Sequence, residues 1–144
     1  MKRLKSYSTI FLVLILTLIL SGCATTSYKA FETKESAVKL RSIQTRAFDT
    51  TDKKMMIQTV ISTMQDLDFV IDKADFLLGS ITGSKFLGNA IVKMTVTVRP
   101  RGEKQLLVRV NAQYGIKTIE APETYQDFFT SLEKALFLTA HKVD

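Results

Sequence analysis

The chain has 144 residues, enough for one domain, with 46% hydrophobic residues, 20 Lys and Arg against 14 Asp and Glu, one His and one Cys. Three of the basic residues, Lys2, Arg3 and Lys5, fall in the first 22 residues, which hold no acid, so the rest of the chain carries 17 basic and 14 acidic side chains, a net +3. That balance, with its signs interspersed, argues against nucleic acid as a partner. A single Cys excludes an intramolecular disulfide, and a lone His141 near the end is read as a solvated side chain rather than a ligand or base.

The first element is a leader. Three positive charges precede Ile10–Leu20, an apolar run of eleven residues interrupted by one Thr. A transmembrane helix needs about 20 such residues, and runs of about 10–14 are typical of export signals. Leu20-Ser21-Gly22-Cys23 follows and resembles the lipobox of bacterial lipoproteins. The resemblance implies that residues 1–22 are a signal peptide, that cleavage falls between Gly22 and Cys23, and that Cys23 carries the lipid. Acyl chains contribute about 0.8 kcal/mol per buried methylene, so two or three of them anchor a protein durably. By the sorting rule of enteric lipoproteins, Ala24 in place of Asp implies the outer membrane, on its periplasmic face; the inner membrane and the cell surface are the other addresses left open.

Residues 24–40 are small, polar and mixed in charge, and read as a lipidated tether (23–40) or a tether with a short helix. As a flexible chain this segment reaches about 20–25 Å. A single domain is expected over 41–144. Arg41–Phe48 alternates, with Ile43, Thr45 and Ala47 on one face, and reads as a strand. Asp49-Thr-Thr-Asp52 offers N-caps for a helix to about Leu67, whose stripe Met56, Val60, Met64 and Leu67, flanked by Ile57 and Ile61, predicts core packing.

Phe69–Asp75 and Ser80–Lys85 read as short strands joined by a bend. Gly79-Ser-Ile-Thr-Gly-Ser-Lys85 has glycines and a Lys close together, but lacks the spacing of a phosphate-binding loop and the helix after it. Phe86–Ala90 is a predicted turn or loop. Ala90–Arg99 then alternates cleanly, Pro100–Lys104 turns, and Leu106–Tyr114 alternates on the return, which makes an antiparallel hairpin with one wet face. Lys93, Thr95, Thr97, Arg99 and Arg109 on that face are the candidate interaction surface. After Gly115–Pro122, an amphipathic helix from about Glu123 to Lys142 buries Tyr125, Phe128, Phe129, Leu132 and Leu136.

The expected fold is therefore α+β: an antiparallel sheet of about four strands packed on one face by two amphipathic helices, in the order β-α-β-β-β-α. Met64-Gln-Asp-Leu-Asp-Phe69 and Gly79–Lys85 resemble segments of small uncharacterised bacterial outer-membrane lipoproteins, with Asp68 where those carry Gly. Asp tolerates the left-handed conformation better than most residues. The layout is distantly similar to the helix-grip domains of a lipoprotein of the outer-membrane β-barrel assembly machinery, and fold alone implies no activity.

Nothing in the sequence assembles a catalytic set, a metal site or a cofactor motif. Asp66, Asp68, Asp72 and Asp75 are the densest acidic group, at spacings resembling a Ca²⁺ or acid/base site, but the EF-hand pattern is absent and Lys73 sits among them, which favours a solvated edge. The leading expectation is a non-catalytic interaction or structural module of the cell envelope, joined to the membrane through Cys23 and to an envelope protein. A carrier holding lipid or glycan under the C-terminal helix, at Tyr125, Phe128 and Phe129, is the alternative. A hydrolase working through the Asp group ranks below it.

Overall fold

The computed structural model describes residues 37–140. The expected signal peptide, lipobox and lipid-bearing Cys23, the tether as far as residue 36, and His141 lie outside the described residues.

The described chain begins with a helical segment over residues 37–43 (α1) and continues through β1 (Thr45–Phe48), α2 (Lys53–Asp66), β2 (Val70–Asp75), β3 (Ser80–Leu87), β4 (Ala90–Arg101), β5 (Gln105–Tyr114), β6 (Lys117–Thr118) and α3 (Pro122–Ala140). The fold is α+β, an antiparallel six-stranded sheet in the order β1-β5-β4-β3-β2, with β6 paired beside β1 on β5 and three helices packed on it. Two expectations are corrected: among the described residues there are six strands rather than about four, and three helices rather than two. Among the described residues no helix is long and apolar enough to cross a membrane.

The strand expected over Arg41–Phe48 is also corrected. Residues up to 43 are helical, and only Thr45–Phe48 pair with β5. Ile43 shares no strand face with Thr45 and Ala47; together with Leu40 it packs on the core from α1. The helix straddles the expected boundary between tether and domain at residue 40.

α2 starts where its cap allows. Asp52 Oδ1 accepts from the Met55 N–H at 2.8 Å, meeting one of the donors a helix start leaves free. Met56, Ile57, Val60 and Met64 are buried as the stripe predicts. The helix ends in a paired cap: Asp68 N–H donates to Gln65 O and Phe69 N–H to Met64 O, both at 2.9 Å, with Asp68 at φ 66°. Phe69 then turns back into the core that Met64 fills.

The sheet divides its side chains by parity. Val92, Met94, Val96 and Val98 of β4 and Leu106, Val108, Val110 and Ala112 of β5 form one buried set with the residues of α2 and with Tyr125, Phe128, Phe129 and Leu132 of α3. The alternate residues of β4 and β5 stay half-buried or exposed.

Candidate functional site

The candidate surface is made by the register of the central hairpin. β4 and β5 pair antiparallel with Thr95 opposite Asn111, Thr97 opposite Arg109, and Arg99 opposite Leu107. β3 adds Thr82 beside Thr95 and Ser80 beside Thr97. β2 adds Lys73 beside Thr82, and β1 adds Thr45 beside Arg109. Cross-strand partners share a face, so these residues lie in rows over one side of the sheet.

Four of the five expected surface residues come together. Thr95, Thr97, Arg99 and Arg109, with Leu107 and Asn111, line an open depression of about 410 Å³. Short threonines sit between longer arginine and leucine side chains, which accounts for the concavity. Lys93 belongs to the same face but pairs with Gln113 outside that lining. Leu107 and Asn111 were missed as site residues, although the hairpin parity already places them on this face.

Electrostatically the depression is one-sided. Among the described residues neither Arg99 nor Arg109 has an ion-pair partner, and no carboxylate lies in the lining. Outside the lining, two carboxylates of β2 hold hydrogen bonds of their own. Asp72 accepts from the Ser84 hydroxyl at 2.7 Å, and Asp75 Oδ1 accepts from the Leu78 N–H at 2.8 Å. The Thr82 and Thr95 hydroxyls lie 3.3 Å apart, tying β3 to the floor of the site. Such a surface offers guanidinium forks and hydroxyls to an anion, and presents no acid–base pair.

The acidic group does not converge. Asp68 pairs with Lys85 Nζ at 3.2 Å, whereas Asp72 and Asp75 serve the separate partners above. Among the described residues no group of three or more His, Cys, Asp or Glu could hold a metal ion. The rings expected to line a carrier groove are packed instead: Tyr125, Phe128 and Phe129 are each at most 1% exposed. Phe128 and Phe129 meet edge to face at 5.5 Å, and the Tyr125 hydroxyl is bonded to Gln44 and Ile119.

Comparison with protein-family models and with curated proteins finds no match for this chain.

Proposed function

We propose that the protein is a lipid-anchored periplasmic module of the outer membrane, without catalytic activity, that holds an anionic group of an envelope partner on its open sheet face. The observation that carries the binding half is the depression between Arg99 and Arg109, two guanidiniums on a regular sheet with no carboxylate in the lining and no ion-pair partner among the described residues. Unpaired arginines at an exposed site cost the fold little and leave their donors free for a partner. The anchor half rests on Leu20-Ser21-Gly22-Cys23 and on Ala24 after it.

Each half has its own test. Metabolic labelling with a fatty acid is expected to mark the wild-type chain and not Cys23→Ser; equal labelling would remove the anchor. For the face, a photo-crosslinker at Thr97 in intact envelopes is expected to give a discrete adduct. Arg99→Ala and Arg109→Ala should weaken that adduct together, and Lys54→Ala should not. An adduct indifferent to both arginines, or none at all, would end the reading.

A further inference from the structure

Turns project into water, so their residues are usually polar or Gly and Pro. The turn between β2 and β3 is different. It carries Phe76, Leu77 and Leu78, which are 48%, 88% and 68% exposed. Three consecutive exposed apolar residues work against solubility and call for a functional reason.

This turn is also held in shape. Gly79 N–H donates to Asp75 O at 2.8 Å, and Leu78 N–H donates to Asp75 Oδ1 at 2.8 Å. From α2, Lys53 Nζ donates to Leu77 O at 2.8 Å, and from β4 the Val98 N–H donates to Gly79 O at 2.7 Å. Gly79 has φ +69°, and a Cβ there would run into Val98 O. A carboxylate, an ammonium and a glycine are thus used to hold three apolar side chains in water, so little ordering is left to do when they meet a partner.

Exposed basic side chains flank the turn. The antiparallel register brings the end of β4 and the β4–β5 turn to the same end of the sheet, where Arg99, Arg101 and Lys104 are exposed. None of the three has an ion-pair partner among the described residues. Four carboxylates share this end: Asp49, Asp52 and Asp75 accept hydrogen bonds from Gln105, Met55 and Leu78, and Glu103 is exposed beside Arg101 and Lys104.

We propose that Phe76-Leu77-Leu78 is a membrane-docking tip, which enters the interfacial layer of the bilayer while Arg101 and Lys104 meet lipid phosphates. An apolar apex with exposed, unpaired basic side chains behind it follows the order of a membrane surface, acyl boundary below and anionic headgroups above. The choice of a bilayer rests on the lipid-anchor reading. From Cys23 to residue 37 the chain spans at most about 50 Å, which keeps the acylated membrane within reach of the domain at all times. At the other end of the sheet Phe86, Leu87 and Ile91 are exposed too. There Phe86 and Ile91 belong to a regular strand pair as direct cross-strand partners, and the neighbouring Lys85 is held by Leu67 O and Asp68.

The test uses the full lipidated chain in vesicles of phosphatidylethanolamine and phosphatidylglycerol. Cys23 is the chain's one cysteine, so its acylation leaves Leu77→Cys as a unique site for an environment-sensitive fluorophore, with Leu87→Cys as the opposite-end control. The label at 77 is expected to shift to the blue and to be quenched by lipid-borne quenchers several-fold more than the label at 87. Replacing Arg101 and Lys104 by Gln should reduce that difference. A label at 77 that stays in water while the protein floats with the vesicles overturns the tip and leaves the anchor standing, as does deeper quenching at 87. Should mass spectrometry find Cys23 unacylated, the anchor fails separately. The tip is then judged in a Cys23→Ser background, where a blue shift at 77 on the same vesicles supports it and no shift overturns it.

Discussion

Gln44 and Tyr125 are 81 residues apart in sequence and meet inside the core, where the Gln44 amide donates to the tyrosine hydroxyl at 3.1 Å. The hydroxyl in turn donates to Ile119 O, and Gln44 O accepts from the Val110 N–H at 2.8 Å. The end of α1, strand β5, the approach to α3 and α3 itself are therefore joined through one buried polar knot. Tyr125→Phe deletes the hydroxyl and leaves the Gln44 amide and the Ile119 carbonyl without their partner. The expected cost is about 1–3 kcal/mol, read from urea unfolding. Adding Gln44→Met should cost less than the sum of the two single changes, because the second removes a group the first has already orphaned.

Asp68 occupies the position where a left-handed residue ends α2, at φ 66°. Its ion pair with Lys85 is exposed, with the Asp68 side chain 82% accessible, and contributes little after solvent screening. Relief of the backbone strain should then outweigh loss of the pair, and Asp68→Gly is expected to stabilise by about 0.5–1 kcal/mol. Asp68→Ala keeps the strain and loses the side chain, so it should destabilise. Unfolding midpoints of the two variants moving in the same direction would show that the carboxylate, not the backbone, decides the cap.

How much of this was legible depended on pattern length. β4 and β5 alternate over ten residues or more, and a run that long settles which side chains are buried, including the face that carries Arg99 and Arg109. The stripe of α2 was readable for the same reason, and the left-handed cap could be located from the expected Gly position at Asp68. Arg41–Phe48 was too short to decide: Ile43 fits an alternating strand and a helix packed through Leu40 and Ile43 equally well, and tertiary packing chose the helix up to residue 43. β6 is two exposed residues with no periodic signal. For the site, each strand could be assigned its face, but the depression needs Leu107 and Asn111 set against Arg99 and Thr95, which is a matter of register. The Phe76–Leu78 turn read as an ordinary bend because composition alone does not say that three apolar residues project beyond the sheet.

Thr63 of α2 is 1% exposed, and its hydroxyl has no hydrogen-bond partner among the described residues. Burial without a partner makes this oxygen a net cost to the fold. Valine has nearly the same shape and suits the apolar surroundings, so Thr63→Val is expected to stabilise by about 1 kcal/mol. A rise in the urea midpoint with an unchanged m-value checks it. A loss of stability instead would mean that the hydroxyl has a bonding role, such as to an internal water.

Arg46 does two things at once on β1: its Nη1 lies 2.7 Å from Glu133 Oε1, and its guanidinium carbon sits 4.7 Å from the centre of the Phe129 ring. The two contributions separate by salt. The ion pair is 39% and 50% exposed at its two side chains, so Coulomb attraction is screened and contributes well under 1 kcal/mol. Stacking on the ring and the burial of the arginine stem do not depend on Glu133, and together contribute about 1 kcal/mol. Glu133→Gln is therefore expected to cost about 0.5 kcal/mol or less in dilute buffer and almost nothing at high salt. Arg46→Ala should cost about 1 kcal/mol, most of it surviving the salt. If high salt erased the arginine effect as well, the contact with Phe129 would be incidental and the pair would be electrostatic throughout.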